Sequence, residues 1–346
     1  MNVKELVIAV SPDLRGTQSY SDRWLAKLHE LGVNTKVVDI LSPDIFNQLD
    51  GCNGLMWRFN DLAYQKRLAR SALITIEKYL NLKVFPDWNT AWHYDEKIYQ
   101  HYLFRVLNIP TPRTFLFWRR EDALDWLEKT QEIPLVLKLS SGAGSKGVIK
   151  INSYREAKRW IDKMFFWGVK PYLINETFKG KVLKYGSWLK NIVNELLGLD
   201  NKLPSLSQVH DKDFGYIYFQ EFVQDNSYDT RITIIGNRAF GFRRFNRDGD
   251  FRASGSGKID WDIKKIDPKC VQLAFDISNR LNLQSMSYDF LFKRGLPVIN
   301  EMSYTFADWA VQKCPGFWDK ELNWHGGNIW PEETQVIDFI NQFIVQ

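Results

Sequence analysis

The stretch Leu137–Ile151, LKLSSGAGSKGVIKI, constrains this chain more than any other. Gly142, Gly144 and Gly147 satisfy G-x-G-x-x-G, a spacing used by loops that hold nucleotide phosphates. The residues just after the loop decide among those uses. A dinucleotide-binding loop runs straight into a helix, whose first N–H groups and dipole hold the pyrophosphate. Here VIKI comes next, and its three β-branched residues make a strand. A P-loop ends in Gly-Lys-Ser/Thr, whereas Gly147 is followed by Val148. A protein-kinase loop also caps a hairpin, and the chain contains Asp213-Phe214-Gly215. Yet the kinase lysine follows its loop, while Lys138 precedes this one, and no H-R-D-x-x-x-x-N occurs. The Asp-Phe-Gly reads as chance. A strand ending in lysine, a glycine loop and a second strand remain.

The flanking pattern is α/β. ELVIAV, TKVVDI and GLMWRF read as strands separated by the helix SDRWLAKLHELG and a turn at Asp50-Gly51. RLARSALITIEKYLN is a further helix, and KVFPDW closes a small parallel-sheet domain over residues 1–90. Ser11 to Gly16 and Arg58 to Asp61 follow its strands, where open α/β sheets bind ligands. YDEKIYQHYLFRVLN is a helix stopped by Ile109-Pro110-Thr111-Pro112. TFLFW, the acid-capped helix EDALDWLEK, PLVLKL, VIKI and the helix SYREAKRWIDKMF then build a lobe over 91–219. Its 165–215 segment is poorly patterned and reads as an insertion with one helix, SWLKNIVNELLG. A second lobe, 220–346, has a hairpin turning at Gly236-Asn237 and the helix CVQLAFDISNRLNL. The hairpin SYDFLF–KRGL–PVINEMS and the helix PEETQVIDFINQFI complete it.

Bulk properties exclude several classes. With 46 basic against 41 acidic residues, the net charge of +5 suits anionic ligands but not a dedicated nucleic-acid binder. Cys52, Cys270 and Cys314 form no C-x-x-C, which argues against a disulfide framework or a zinc site. His29, His93, His101, His210 and His325 show no metal spacing. No apolar run is long enough to span a bilayer, and the opening MNVKELVIAV carries Glu5 and no cleavage site. A cytoplasmic location without membrane insertion is the expectation.

Lysine, glycine loop and later motifs together resemble the ATP-grasp superfamily, especially carboxylate–amine ligases of the glutathione synthetase and ribosomal-protein glutamate ligase type. The resemblance covers about residues 90 to 306 and implies a parallel-sheet N-terminal domain followed by two α+β lobes that clasp ATP. It implies that Lys97 and Lys138 bind nucleotide phosphates beneath a lid, Ser140–Gly147. Gly144 and Gly147 would admit phosphate oxygens to the backbone, and Ser145 would donate to them. Gln220-Glu221-Phe222-Val223 is similar to the hinge strand, with the Glu221 carbonyl and Val223 N–H reading adenine and Asp229 taking the ribose hydroxyls. The run Asp229-Thr230-Arg231, Phe242-Arg243-Arg244 and Asp250-Phe251-Arg252-Ala253-Ser254 resembles the D-x-R, R-R and D-F-R-S-N motifs of glutamate-adding members. Arg231, Arg243 and Arg252 are then the catalytic cations, since guanidinium forks suit carboxylate and phosphate oxygens. Ser254 stands where the family has Asn.

Asp289 and Glu301, on neighbouring strands, match the family's metal acids, with Ser303 in place of the Asn of Glu-x-Asn. Asn300 is expected on the opposite face, because strand side chains alternate. The resemblance implies ATP and Mg2+ (or Mn2+) as cofactors, and an amide formed through an acyl phosphate. The partners implied are a small-molecule, peptide or sugar carboxylate and an amine, with no nucleic acid; a homo-oligomer is left open. FRRFNRDGDFRASGSG has a likeness to envelope-associated members, which extends the expectation to an amino acid joined to a cell-surface sugar acid or peptide. Two alternatives stand beside the ligase: a kinase for a small-molecule hydroxyl, and a non-catalytic ATP-binding regulator. Trp309, Trp318, Trp324 and Trp330 read as packing.

Overall fold

The computed structural model describes residues 3–13, 20–142, 147–170 and 212–344. They form two compact units. One comprises Met1–Asn60, Gln65–Tyr94 and Asp225–Gln346, the other Asp61–Tyr64 and Asp95–Gln224.

The first unit contains the expected parallel sheet, β1 (Val7–Ser11), β2 (Asn34–Val37), β3 (Gly54–Trp57) and β4 (Lys83–Phe85), in the order β2-β1-β3-β4. Strand β3 is buried throughout, whereas β2 is a largely exposed edge. TKVVDI leaves the sheet after Val37, where Asp39 turns back to accept from Leu41 N. The helix Tyr20–Glu30 points Trp24 and Leu28 inward and ends before Gly32, whose φ of +73° suits glycine.

The same unit holds a seven-stranded antiparallel sheet ordered β13-β12-β9-β10-β14-β15, with β11 on β10. Its strands are β9 (Tyr228–Ile235), β10 (Arg238–Phe245), β11 (Ile259–Asp260), β12 (Ser285–Lys293), β13 (Leu296–Ser303), β14 (Gly316–Trp318) and β15 (Trp324–Gly326). The β9–β10 hairpin closes with Ile235 opposite Arg238, so Gly236-Asn237 is the two-residue turn that the sequence indicates. Gly236 has φ of +55°, and a Cβ there would lie 2.2 Å from Asp338 Oδ2, so that side chain would have to move. Ile235, Phe240 and Phe242 share one core with Ile8, Val10, Trp24, Met56 and Phe339. The helix Pro268–Leu281 begins with Asp267 accepting from Lys269 N and ends at left-handed Asn282. It meets the opposite face, where Ser278 Oγ lies 2.7 Å from the Tyr288 hydroxyl. The hairpin β14–β15 is an addition to the sequence reading. Three-residue strands carry no usable periodicity, and Trp318 against Trp324, at 4.7 Å between ring centroids, helps to hold it.

The second unit has an antiparallel sheet of β5 (Thr114–Phe117), β6 (Leu135–Lys138), β7 (Val148–Ile151) and β8 (Ile217–Glu221), ordered β5-β8-β6-β7. VIKI is thus a strand, paired with β6 from Lys138↔Val148 to Leu135↔Ile151. The helix expected from Tyr94 starts at Lys97, because Asp95 adopts φ +50° and breaks the turn before it. The helix Tyr154–Phe166 is capped by Ser153, which accepts from Glu156 N. The helices Arg120–Lys129 and Tyr154–Phe166 bury Ala123, Leu127, Ala157, Ile161 and Met164 in a core with Leu135, Leu137 and Phe219. The expected helix SWLKNIVNELLG lies outside the described residues.

Candidate functional site

In the second unit, the ends of the glycine loop are tied down by polar groups from three elements. Leu139 N donates to Gly147 O at 2.9 Å, extending the β6–β7 ladder by one bond. Gly142 and Gly147 have φ of +118° and +78°, which their lack of Cβ permits. Gly142 N donates to Asp95 Oδ2, and Ser140 Oγ donates to Glu96 Oε2 at 3.1 Å. Ser141 Oγ donates to Asp213 Oδ2, while Tyr216 OH donates to Asp213 Oδ1 and accepts from Ser140 N. Burial raises the Asp213 carboxyl above its ordinary range, against these two donors. Asp213, set aside in the sequence as part of a chance Asp-Phe-Gly, therefore anchors the loop. Its signal was weak: one acid in a segment without periodicity.

Lys97 opens its helix and Lys138 closes β6, and each is 5% exposed. Lys97 Nζ lies 3.4 Å from the Gly142 carbonyl, so it reaches the first described side of the loop that Lys138 leads into. Gly144 and Ser145 lie outside the described residues. Gln220 and Glu221 end β8, with Glu221 opposite Leu135 of β6. Lys138 therefore lies three residues along β6 from the Glu221 level, about 10 Å of extended chain. Gln220 Nε2 donates to Thr114 Oγ1. The Glu221 carboxylate accepts from Arg113 N and Arg113 Nε at 2.8 and 2.9 Å, and Glu221 N donates to the Arg113 carbonyl at 2.8 Å. Lys150 Nζ sits 3.9 Å from the Phe222 ring centroid, a cation over an aromatic face that sequence spacing did not suggest. Val223 comes directly after in the chain, beyond the end of β8.

In the first unit, the sheet register puts acids and arginines on one face. Asp289 lies opposite Arg231, Asp229 opposite Arg244, and Glu301 opposite Asp289. Arg231 grips Asp289 with two hydrogen bonds of 2.7 and 2.8 Å. Arg244 grips Asp229 at 2.7 and 2.6 Å, and its Nη2 also reaches Asp289 Oδ2 at 2.7 Å. Burial alone would raise the Asp289 carboxyl; Arg231 and Arg244 overcome it and hold Asp289 well below the usual carboxylate range. Asp229 moves the other way, raised by burial against Arg244 and by its neighbour Asp289.

The structure brings Asp229, Arg231, Asp289 and Glu301 together but leaves two predicted cations elsewhere. Arg243 points to the opposite face of β10, paired with Asp260 at 2.5 Å and lying over Tyr228. Arg252 pairs with Asp250 within its own loop. Arg244, which sequence reasoning passed over, lies on the face of Asp229, Arg231 and Asp289 and pairs with both acids. Its signal was available: a two-residue turn at Gly236-Asn237 sets Asp229 opposite Arg244, not Arg243. Asn300 is a second revision. The register steps from Asp289↔Glu301 to Phe290↔Ile299, so Asn300 is the extra residue of a β-bulge and opposes Asp289 together with Glu301. Simple alternation fails at that step.

No group of three or more His, Cys, Asp or Glu residues suited to a metal occurs among the described residues. Asp289 and Glu301 supply two hard-oxygen donors on opposed β positions, which fits Mg2+, an ion that binds through one or two carboxylates, water and phosphate. Ser303 sits two residues on, and its hydroxyl donates to the Thr305 carbonyl at 2.7 Å.

No protein-family model matches the chain. The α-aminoadipate–LysW ligase LysX of Saccharolobus solfataricus is 25% identical over 223 residues, which is 63% of this chain and 65% of that relative. The match thus spans less than two thirds of the relative's length. Among solved structures, a RimK-domain ATP-grasp protein from Sphaerobacter thermophilus aligns at TM-score 0.56 and 14% identity, covering 97% of this chain and 99% of its own. D-alanine–D-alanine ligase from Bacillus anthracis aligns at 0.53 and 11%, covering 97% and 96%. The macrocyclase MdnC from Microcystis aeruginosa, bound with precursor peptide MdnA, aligns at 0.57 and 11%, covering 99% and 100%. With a lysine-flanked glycine hairpin, an opposed acid pair and these full-length alignments in one chain, the protein has the ATP-grasp fold.

Proposed function

We propose that the chain is an ATP-dependent carboxylate–amine ligase. The observation that carries this reading is the pair of buried lysines at the glycine hairpin: Lys97 Nζ is 3.4 Å from the Gly142 carbonyl, and Lys138 begins the same loop. Two ammonium groups buried at a loop able to bare its N–H groups suit a polyanion. Lys97, Lys138, Gly144, Ser145 and Gly147 take ATP phosphates, while the backbone of Glu221 to Val223 takes the base beside Phe222. Asp289 and Glu301 hold Mg2+, which when bound neutralises phosphate charge. Arg231 and Arg244 sit beside these acids, so that their charge offsets that of the transferring phosphoryl group. Arg243 and Arg252 act, in this reading, on substrate approaching from their own faces.

A substrate carboxylate oxygen attacks the γ-phosphorus and ADP leaves with the bridging oxygen. The amine then attacks the acyl carbon, inorganic phosphate leaves as the C–N bond forms, and the amine sheds its proton to give the amide. No enzyme nucleophile is needed. The match to LysX, a ligase, supports this class. The finer expectation, an amino acid joined to an envelope sugar acid or peptide, belongs to the same proposal.

The test is ADP release with Mg2+ across carboxylates and amines, with mass spectrometry of the product. The ligase reading expects an amide and amine-dependent ADP, both abolished in Lys138→Met. A stable phosphorylated product without amine would instead establish a kinase. Absence of ATP hydrolysis with every pair, alongside tight ATP binding, would establish a regulator.

A further inference from the structure

The first unit holds a second set of buried charges that the ligase reading leaves unused. It lies where β1 and β3 end, the position at which open α/β sheets present loops to ligands. Asp13 follows β1, and Arg58 follows β3. Tyr20 and Arg23 come from the helix Tyr20–Glu30. Tyr304 to Asp308 follow β13, and Glu332 stands in the first turn of the helix Pro331–Ile344.

These segments are fastened together. Tyr20 OH donates to Phe306 O at 2.8 Å. Tyr304 OH donates to Phe59 O at 2.6 Å and accepts from Phe59 N at 3.0 Å, next to Arg58. The Arg58 guanidinium lies 4.3 Å from the Tyr20 ring centroid, with Nη1 3.8 Å from Asp13 Oδ2. Asp13 Oδ2 accepts from Tyr20 N.

The other polar atoms are not satisfied. Asp13 Oδ1, Arg58 Nε and both Glu332 carboxyl oxygens are buried and make no hydrogen bond. The Asp13 side chain is 2% exposed and that of Glu332 fully buried, with Arg23 Nε no closer than 3.8 Å. An unsatisfied buried polar group costs about 1–3 kcal/mol, more when charged, so several in one place call for a partner outside the chain. Burial raises the Asp13 carboxyl against the pull of Arg58, and burial together with Asp308 pushes the Glu332 carboxyl up to about 8. Arg58 remains about one-fifth exposed at its side chain, and Thr305 and Asp308 are half-buried, so the group opens to solvent on that side.

We propose that this group is the binding site for a free α-amino acid, with Arg58 forking onto its carboxylate and Asp13 Oδ1 accepting from its ammonium. Asp308 adds negative field on the ammonium side. A dicarboxylate or phosphate would be repelled by Asp13, and an amine lacking a carboxylate would leave Arg58 Nε unpaired. The ligand's role as the amine co-substrate rests on the ligase reading; its binding does not. Tyr304, which pins the Arg58 segment, follows Ser303 directly, so this site and the Glu301 acid belong to one continuous strand and turn.

The experiment is calorimetric titration of the full chain with L- and D-α-amino acids, their amides and the matching 2-hydroxy acids. At least one amino acid should bind, and its amide and hydroxy analogue should bind ~10-fold or more weakly, one charge-assisted contact each. Arg58→Gln and Asp13→Asn should each weaken it by a similar factor, with Arg58→Lys between them and wild type. Affinity for a fluorescent ATP analogue should stay unchanged, which reports that the variants fold. No binding by any amino acid, or equal binding by Arg58→Gln, overturns the site. Arg58-dependent binding without any ADP release would sink the ligase reading and keep the site. Turnover whose amine KM ignores Arg58→Gln would do the reverse.

Discussion

The first unit buries charge in two places, and it does so in opposite ways. Asp229, Arg231, Arg244 and Asp289 form a lattice in which each carboxylate meets at least one guanidinium fork. The Asp13, Arg58 and Glu332 group is as deeply placed, yet it keeps buried oxygens and a guanidinium nitrogen without hydrogen bonds. Cross-strand register explains the lattice, because opposed β positions hold short side chains at a fixed spacing. No register joins Asp13, Arg58 and Glu332, which come from the ends of two strands and a helix. A compensated lattice behaves as structure that also aims charge. An uncompensated one persists only where a ligand or a proton makes up the difference.

The largest expected effect breaks the lattice. Asp289→Asn leaves Arg231 and Arg244 short of their shared counter-charge and should cost about 3–5 kcal/mol in urea unfolding, as removing one partner of a buried ion pair does. Lys138→Met, by contrast, should leave the urea midpoint nearly unchanged while weakening ATP. If Asp289→Asn unfolds no more easily than Lys138→Met, the lattice is not structural.

Next comes pH. The folded Asp289 carboxyl is held below the ordinary 3.8, so the stability it contributes is complete above about pH 4 and is lost as pH falls through the folded value. Glu332 has the opposite sign. Its folded value is raised from 4.5 to about 8, so the folded state binds the extra proton and stability falls as pH rises through that window. Glu332→Gln should therefore match wild type near pH 4.5 and become progressively more stable toward pH 8, by at most about 1.4 kcal/mol per pH unit. Melting curves at several pH values check this. A constant gap would mean that a cation or donor compensates Glu332 in the folded protein.

The smallest effect separates the neighbouring arginines. Arg244→Lys loses a two-bonded fork and should destabilise by about 2 kcal/mol, whereas Arg243→Lys touches a partly exposed pair and should cost about 0–1 kcal/mol. Equal costs in chemical denaturation would erase the distinction between the two faces of β10.

Much of this was legible before any coordinates. The strand after the glycine loop was written in Val148, Ile149 and Ile151, and the β9–β10 turn in Gly236-Asn237, because both depend on neighbours in the chain. Lys138 was legible as a charge within an apolar strand, whereas Lys97 came only through the family resemblance. The sequence reading named Arg243 without weighing its face, and in a sheet one residue exchanges the faces, so Arg244 and not Arg243 shares that of Asp229. The expectation for Asn300 rested on alternation, which the bulge at Asp289 removes.

By itself, then, the sequence determined the local elements, the glycine hairpin and the residue types able to meet phosphate and metal, because periodicity and turn chemistry act over a few residues. Tertiary structure alone decided which charges neutralise one another and which stay unsatisfied. Asp13 and Glu332 lie 319 positions apart in the chain, and only the packing of two sheets and a C-terminal helix brings both near Tyr20. Electrostatic energy depends on distance through space and on burial, neither of which spacing along the chain records.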